Sequence, residues 1–317
     1  MSQTFDFIIN RRAGTVMAAG EDRVVSDLQA AFKEKAGQVH LIEGGEIAPM
    51  VKTWLQTANT AHRSLIIGGG DGSLLTAAAE VINTDVALGL LPLGTQNFLA
   101  RNMGFSSDYR EAAHQYTNST PRPVDVGMVN GQYFLYGLLF DDNCVRFFEA
   151  REDMRAQRPF DALKKAFDSV SGLLLHPQMH VRIEVPGHTR YISGRVFGVT
   201  NNPLAPRSTL RLPLFAPALD VVGNIFAKSP EGQGKLAFYA LRAGFRGIEI
   251  VPSIVEGTWN NHPQITTFES PRFKLKPVGI ADGEETSIIL DGEIKQTTLP
   301  LEVSILPGAL RLYQNMP

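Results

Sequence analysis

The segment 68–73 carries the clearest chemical signal in the chain, because it places four glycines, one acid and one hydroxyl in six residues. A strand-like apolar stretch precedes it, and a helix-like stretch rich in alanine and leucine follows. Glycines let backbone N–H groups crowd around an oxygen-rich anion, and the start of a helix favours negative charge. Asp71 would repel a bare phosphate, so we expect it to accept a proton or to meet a metal that phosphates hold.

An alternative interpretation of this segment is a glycine turn that only packs a helix against a sheet. The segment lacks the Gly-Lys-Ser/Thr ending of a P-loop, and Ser73 occupies the position of the last glycine of a dinucleotide fingerprint. A second acidic motif, Asp291-Gly292-Glu293, lies near the end of the chain, and a similar triplet occupies 282–284. Asp-Gly is a common turn dipeptide, so residue chemistry alone favours a surface hairpin turn for both.

The elements that position these residues can be predicted from the hydrophobic pattern. Short apolar stretches predict strands at 5–9, 39–42, 64–67 and 86–91, and amphipathic stretches predict helices at 21–36, 47–58 and 74–81. This alternation indicates a parallel sheet with helices on both faces. Loops 10–14, 69–73 and 92–97 each follow a strand, and ligands collect at the carboxyl ends of such strands. We therefore expect these three loops to converge.

The pattern changes after about residue 122. Further strands are predicted at 124–129, 132–140, 180–185, 190–200 and 268–275, with helices at 161–175 and 234–244. Turn dipeptides between these strands indicate a second, mainly antiparallel domain. The tail 299–312 is again strand-like, and it could return to the first domain.

Composition narrows the class of protein. The 317 residues suffice for two domains, and a hydrophobic content of 44% suits a globular core. With a formal net charge of -2, the protein has no overall positive electrostatic field, so we do not expect nucleic acid as a partner. Cys144 is the single cysteine, which excludes an internal disulfide and fits a reducing compartment. With no signal peptide and no apolar run near ~20 residues, we expect a cytoplasmic protein that meets a membrane only from its surface.

Taken together, three ordered motifs resemble the diacylglycerol kinase catalytic family, which includes bacterial lipid kinases and sphingosine and ceramide kinases. The motifs are the glycine loop at 69–73, the segment 92–97 followed by Ala100-Arg101, and the late acidic turn at 290–293. Segment 10–14 is similar to the Asn-Pro-x-Ser-Gly loop of that family, and 124–127 and 299–312 extend the likeness over nearly the whole chain.

The resemblance implies an NAD kinase-like α/β nucleotide-binding domain at 1–122 and 300–317, and an acceptor-binding β-sandwich at 123–299. ATP would lie in the cleft between them, with Mg²⁺ as its metal. The family's nucleotide loops carry over to a set of eight positions: Asn10, Gly69, Gly70, Asp71, Gly72, Ser73, Thr95 and Asn97.

The resemblance leaves the proton acceptor open. The late motif carries it in bacterial members, which points to Asp291 or Glu293, whereas sphingosine kinases use the acid of the glycine loop, which points to Asp71. We favour the late pair and expect Asp71 to meet the Mg²⁺ of ATP or to be the alternative base. Phosphoryl transfer needs positioning, charge neutralisation and a proton acceptor, and these residue types can supply them.

Three departures from the family pattern weaken parts of this prediction. Phe98 replaces an Asp after Asn97, Leu75-Thr76 replaces Asn-Glu, and segment 218–223 retains one acid of a structural Mg²⁺ motif.

The implied activity is phosphorylation of a lipid hydroxyl, with a diacylglycerol-like, sphingoid or glycerophospholipid acceptor. A kinase of a non-lipid alcohol and a catalytically impaired nucleotide- or lipid-binding protein remain as alternatives. Peripheral membrane contact is an expectation, and assembly, including a homodimer, stays open.

Overall fold

The structure is a computed structural model, and it describes residues 3–57, 62–94, 97–141, 145–146, 148–149, 178–201, 234–242 and 263–315. The chain divides into two compact units, Met1–Val124 with Gly308–Pro317, and Asp125–Pro307. In the described ranges, no helix combines the length and the apolar character that a bilayer crossing requires.

The elements alternate regularly at first and are then almost entirely strands. The helices are α1 (Gly14–Ala19), α2 (Glu21–Phe32), α3 (Ile47–Thr57), α4 (Asp71–Val81), α5 (Phe98–Asn102) and α6 (Tyr109–Tyr116). The strands are β1 (Thr4–Asn10), β2 (Ala36–Ile42), β3 (Arg63–Gly69), β4 (Ala87–Pro92), β5 (Thr120–Val129), β6 (Gln132–Phe134), β7 (Gly137–Leu139), β8 (Met179–Val185), β9 (His188–Gly194), β10 (Val196–Thr200), β11 (Leu236–Leu241), β12 (Ile265–Ser270), β13 (Arg272–Pro277), β14 (Glu285–Leu290), β15 (Glu293–Thr298) and β16 (Leu301–Gln314).

The N-terminal unit is built on a parallel sheet with the strand order β2-β1-β3-β4-β16. The parallel registers run through all four neighbouring pairs. The last pair joins Arg311 and Leu312 of β16 to Ala87 and Leu88 of β4, so the tail of the chain contributes a strand to this sheet. The predicted parallel sheet is confirmed.

Helices cover both faces of this sheet. Alternate residues of β1 point to opposite sides, so their contacts show which helix packs on each face. On one side, Phe5 and Phe7 contact the ring of Phe32 in α2, with centroids 5.0 and 4.9 Å apart. On the other side, Asp6 accepts a hydrogen bond of 2.7 Å from the indole N–H of Trp54 in α3. The predicted two-sided covering is therefore confirmed as well.

Asp6 is a fully buried carboxylate whose partners come from three other elements. Besides Trp54, it accepts the N–H of Gln38 in β2 at 2.8 Å and forms an ion pair with Arg63 in β3 at 2.5 Å. Its residue exposure is 0%. A buried charge is tolerated only when it is paired and hydrogen-bonded, and this one ties β1, β2, β3 and α3 together.

We expect Asp6→Asn to lower the free energy of unfolding by about 3–5 kcal/mol, because removing one member of a buried ion pair leaves the other uncompensated. Glu80→Gln is the matched control, since it makes the same acid-to-amide change in a surface ion pair with Lys52. That pair should contribute only about 0–1 kcal/mol. Urea denaturation of both variants measures the difference, and equal losses would contradict a structural role for Asp6.

The second unit contains two antiparallel layers around one apolar core. Strands β9, β8 and β13 pair in that order, and β13 also pairs with the start of β16. The other layer has the order β12-β11-β10-β7-β14-β15. Side chains from both layers form one buried cluster, which includes Ile183, Phe197, Phe238, Phe273 and Leu301. The predicted antiparallel sandwich is confirmed.

Several predicted elements were wrong in detail. The helix predicted at 234–244 contains strand β11, whose residues are all buried. A strand buried on both faces does not alternate, so its apolar run cannot be told from a buried helix by periodicity. The strands predicted at 132–140 and 190–200 each divide into two. The helix predicted at 161–175, segment 218–223 and Cys144 lie outside the described residues.

The helix predicted at 21–36 was too long. Helix α2 ends at Phe32, and a 3₁₀ turn at Lys33–Lys35 leads directly into β2. Lys33 adopts a left-handed backbone with φ of 51°, which stops the helix. Strand β2 consequently begins three positions before the predicted residue 39.

Candidate functional site

The carboxyl ends of β1 and β3 form the point where the chain changes direction across the parallel sheet. The connection after β1 leads to β2 on one side, whereas β3 pairs with β1 on the other side. Ligands of doubly wound sheets bind at such switch points. The two loops lie side by side here, because a Cβ added to Gly69 would be 3.7 Å from the Cβ of Asn10.

The glycine loop after β3 is packed directly against the loop after β4. Leu93 and Gly94 both donate their N–H groups to the carbonyl of Gly69, at 3.1 and 3.0 Å. A Cβ added to Gly94 would lie 2.5 Å from the Cα of Gly70, so the two backbones approach too closely for any side chain. Two of the three loops predicted to converge are therefore in direct contact.

Asn97 holds the loop after β4 in shape. Its backbone is left-handed, with φ of 51° and ψ of 42°, a conformation that asparagine tolerates better than most residues. Its amide oxygen accepts the N–H of Gly94 at 3.0 Å, and its amide nitrogen donates to the Gly94 carbonyl at 2.8 Å. Asn97 is thus bonded to both backbone polar groups of Gly94, whereas Thr95 lies outside the described residues.

Asp71 links the glycine loop to helix α5. It is the first residue of α4, and its Oδ1 accepts the N–H of Leu99, the second residue of α5, at 2.9 Å. The half-buried carboxylate therefore stabilises a helix start as well as lying in the glycine loop. Beside it, Ser73 packs against Gly69, since a Cβ there would lie 2.5 Å from the Ser73 hydroxyl oxygen.

Thr76 occupies the position where the family resemblance predicts an acid. Its hydroxyl donates to the carbonyl of Gly72 at 2.9 Å, within its own helix. The residue therefore satisfies a backbone group of α4, and it brings no charge to the glycine loop.

The first loop contains Asn10 and two exposed arginines. The Oδ1 of Asn10 accepts the N–H of Arg12 at 2.9 Å, which closes the turn after β1. Arg12 pairs with Glu43 at 3.1 Å, and Arg11 pairs with Glu21 at 3.5 Å. Both guanidinium groups thus have acidic partners at the surface.

The late acidic motif forms a hairpin turn between β14 and β15. Asp291 and Gly292 have φ values of 48° and 87°, as the two central residues of a type I′ turn require. Leu290 pairs with Glu293 across the turn. The hairpin interpretation of this motif was therefore correct for its backbone, although its side chains have more specific partners.

The carboxylate of Asp291 binds three consecutive backbone N–H groups. Its Oδ2 accepts from Leu135 at 2.6 Å, and its Oδ1 accepts from Tyr136 and Gly137 at 2.9 Å each. Burial raises the pKa of Asp291 to about 6, although the three N–H donors pull that pKa downward and the charge of Glu293 adds to the rise. Asp291 is therefore a half-buried acid that is held firmly in one orientation.

Glu293 differs from Asp291 in both exposure and partners. It is exposed at the start of β15, with Lys295 at 2.7 Å from one carboxylate oxygen. Both members of this ion pair are about half exposed. Of the two acids in the motif, Glu293 is the more exposed to solvent.

Sequence reasoning did not identify Asn201, which follows β10 and is 1% exposed. Its amide nitrogen donates to the carbonyls of Asp125 and Leu135, at 2.8 and 3.3 Å. Asp125 was noted only as part of segment 124–127, and its Oδ2 accepts the N–H of Gly234 at 3.0 Å. The one sequence signal for Asn201 was a polar residue at the end of an apolar strand. Such residues are too common to indicate a functional role.

The described residues contain no cluster of three or more His, Cys, Asp or Glu side chains that could hold a metal ion. In the glycine loop, Asp71 is the one carboxylate. Mg²⁺ is often held by one or two carboxylates together with waters and substrate phosphates. The residues of this loop therefore fit an ion that arrives with a nucleotide, and they do not form an all-protein cage.

Comparison with known proteins connects the first part of the chain to a family. Residues 5–129 match the diacylglycerol kinase catalytic domain. A "Probable lipid kinase YegS-like" from Pseudomonas syringae pv. tomato is 33% identical over 135 residues, which are 40% of this chain and 43% of that protein. A "Diacylglycerol kinase" from Bacillus subtilis is 38% identical over 74 residues, 22% of this chain and 24% of that protein. The chain thus spans less than half the length of each of these relatives.

The fold likeness extends further than the sequence likeness. The crystal structure of a diacylglycerol kinase from Bacillus anthracis str. Sterne superposes with a TM-score of 0.64, covering 98% of this chain and 97% of that one. Sequence identity in this comparison is 17%, so it establishes the shared architecture alone. Residues 5–129 are thus similar in sequence to the diacylglycerol kinase catalytic domain, and the likeness over the rest of the chain is one of architecture.

Proposed function

We propose that this protein is an ATP- and Mg²⁺-dependent kinase that phosphorylates a hydroxyl group of a lipid. The observation that carries the proposal is the position of Asp71, in a glycine loop at the switch point of a parallel sheet and hydrogen-bonded to the neighbouring loop. The lipid as acceptor is inferred from the names of the relatives, a lipid kinase and a diacylglycerol kinase.

The N-terminal unit supplies the nucleotide side of this proposal. The backbone of 69–73 and the start of α4 would receive phosphate oxygens, since glycines and a helix start suit anions. Asn10 and Asn97 shape the two loops beside it, and Thr95 would line the nucleotide. Mg²⁺, when bound, neutralises charge on the phosphates, and Asp71 is the residue that would face it.

The second unit supplies the proton acceptor. We assign that role to Glu293, because it is the exposed acid of the late motif. The acceptor hydroxyl would give its proton to Glu293 while its oxygen bonds to the γ-phosphorus and the bond to ADP breaks. Asp291 would orient the turn, because its two oxygens already bind three N–H groups. Asp71 remains the alternative base.

The close approach of two loops predicts a nucleotide-binding defect in Gly94→Ala. The new methyl group would collide with the backbone of Gly70, and one of the two loops must shift. We expect ATP affinity to fall at least ~10-fold, which corresponds to about 1.4 kcal/mol. Isothermal titration calorimetry measures this, with Gly45→Ala as control, because a Cβ at that position meets nothing within 4 Å. Equal affinities for the two variants would contradict the role of this contact.

Radiolabelled ATP incubated with the protein and a total lipid extract tests the proposed activity. Label in the organic phase supports a lipid kinase, and label confined to water-soluble products supports a kinase of a non-lipid alcohol. ATP binding without transfer supports a third candidate, a nucleotide-binding protein that has lost catalysis. The specific observation behind that candidate is Thr76, whose hydroxyl binds the Gly72 carbonyl where the family pattern has an acid.

A further inference from the structure

The short segment 135–137, which connects β6 to β7 and includes the first residue of β7, is held on its donor side by one carboxylate. Its three N–H groups all donate to Asp291, at distances between 2.6 and 2.9 Å. In a regular β-ladder these N–H groups would donate to the backbone of a neighbouring strand, whereas here one side chain accepts all three. A carboxylate that accepts several N–H groups is strongly oriented by them.

The acceptor side of the same connection is held chiefly by Asn201. The carbonyl of Leu135 accepts from the Asn201 side chain at 3.3 Å, and the carbonyl of Tyr136 accepts from the Asn201 backbone N–H at 2.7 Å. The third carbonyl, that of Gly137, accepts the backbone N–H of Asp291 at 2.9 Å. Every backbone polar group of 135–137 is thus bonded to either Asp291 or Asn201.

We propose that Asn201 and Asp291 form a two-sided clamp on 135–137, and that Asn201 is through this clamp a positioning residue for Glu293. The inference deepens the proposed kinase function and rests on it. Asn201 touches neither acid of the late motif through a direct bond, so its effect must pass through the connection that it shares with Asp291.

The clamp reaches Glu293 through the hairpin. Strand β14 pairs with β7 immediately after the clamped connection, with Leu290 opposite Leu138 and Ile289 opposite Leu139. Asp291 follows Leu290, and Glu293 begins β15 two positions later. A displacement of 135–137 therefore moves the turn that carries Glu293. Small displacements of a catalytic group suffice to slow an enzyme severely.

Burial makes the clamp sensitive to loss of the Asn201 amide. Asn201 is 1% exposed and Leu135 is 3% exposed, so water does not replace a lost bond at these positions. A buried carbonyl left without a donor destabilises its surroundings, and the segment relieves this by moving. Removing the amide should therefore loosen 135–137 more than it unfolds the unit.

Asn201→Asp tests the clamp, with Asn130→Asp as the matched control. Asn130 lies in the same unit, and its amide likewise donates to two backbone carbonyls, those of Thr298 and Pro300, at 2.7 and 3.2 Å. It acts on the end of β15 opposite to Glu293. Asn201→Ser serves as a second variant if the introduced carboxylate prevents folding.

Amide hydrogen exchange, measured by mass spectrometry on the peptide that covers 135–137, reports the clamp without any need for activity. We expect exchange there to rise at least ~10-fold in the Asn201 variants and in Asp291→Asn, and to stay at the wild-type rate in Asn130→Asp. Wild-type exchange in the Asn201 and Asp291 variants would overturn the clamp.

Steady-state kinetics with ATP and the best lipid acceptor report the positioning role. We expect kcat of the Asn201 variants to fall about 10- to 100-fold, as the loss of one buried hydrogen bond permits, while KM for ATP stays within about twofold. The Asn201 and Asp291 substitutions should be non-additive in the double variant, because both act on one connection. A kcat within twofold of wild type, or equal losses in Asn130→Asp, would overturn the positioning role. Absence of phosphate transfer in the wild-type protein would instead refute the proposed function. The hydrogen-exchange measurement would still test the clamp, because it does not depend on activity.

Discussion

Asp71→Asn is expected to lower phosphate transfer at least ~100-fold, the usual scale for removing a proton acceptor or a metal-linked carboxylate. The reason is loss of charge at the point where a nucleotide would place its phosphates. Asparagine has the shape of aspartate, but it cannot accept a proton from a hydroxyl, and it is a weaker ligand for Mg²⁺.

The fold should survive this substitution. The hydrogen bond from Leu99 ends on Oδ1 of Asp71, and an asparagine side chain can present its carbonyl oxygen to the same N–H. Helix α5 therefore keeps its partner at the first turn. The change isolates the negative charge from the structural bond that the same side chain makes.

Asp108→Asn is the matched control for Asp71→Asn. Asp108 also accepts an N–H at the start of a helix, that of Arg110 in α6 at 2.8 Å. Asparagine and aspartate cap helices about equally well, so this variant should keep its melting temperature and its turnover. Turnover with radiolabelled ATP and thermal unfolding are measured for both. Normal turnover in Asp71→Asn would remove Asp71 from the mechanism.

The N-terminal sheet was predictable because its signals are local. Strands β1, β3 and β4 are short and apolar, each ends in a polar or glycine-rich loop, and helices follow at regular intervals. The rule that ligands gather at carboxyl ends then brings the loops together without any further information.

The hydrogen bonds that organise the candidate site were not predictable, because they join residues far apart in the chain. Asp71 and Leu99 are 28 positions apart, and Asp291 and Leu135 are 156 positions apart. The Asp-Gly dipeptide predicted a hairpin turn at 291–292, and it carried no information about which backbone groups the Asp291 carboxylate would bind.

The role of Asn201 was not predictable for the same reason. Its side-chain partners, Asp125 and Leu135, are 76 and 66 positions away, and no spacing pattern marks it. Strand β11 was misinterpreted for a different reason, since burial of both its faces removed the alternation that identifies a strand. Local pattern predicts elements that bury one face, and it predicts least where tertiary contacts decide.

Glu293→Gln should produce the other large effect, a fall in turnover of about 10²–10⁴-fold with little change in stability. Glu293 is exposed, and its ion pair with Lys295 is a surface pair that contributes little to folding. Glutamine preserves the size of the side chain and removes its capacity to accept the proton of the acceptor hydroxyl. Glu285→Gln, an exposed glutamate on the other strand of the same hairpin, is the control.

Asp291→Asn should behave in the opposite way, with a loss of stability of about 1–3 kcal/mol, because the introduced amide group turns a donor toward backbone N–H donors. Its backbone should be undisturbed, since asparagine adopts the left-handed conformation readily. A smaller fall in turnover should accompany the loss of stability, because the turn that carries Glu293 is less firmly held.

The pH dependence of the free energy of unfolding further distinguishes Asp291 from Glu293. Burial raises the pKa of Asp291 from its ordinary 3.8 to about 6, so the folded state binds this proton more tightly than the unfolded state does. The contribution of Asp291 to stability is therefore full below about pH 4 and is lost as the pH rises through 6. Wild-type protein and Glu293→Gln should both show this decline, and Asp291→Asn should lack it. If Asp291→Asn abolished turnover without losing stability while Glu293→Gln remained active, the proton acceptor would be Asp291, and Glu293 would have no part in the transfer.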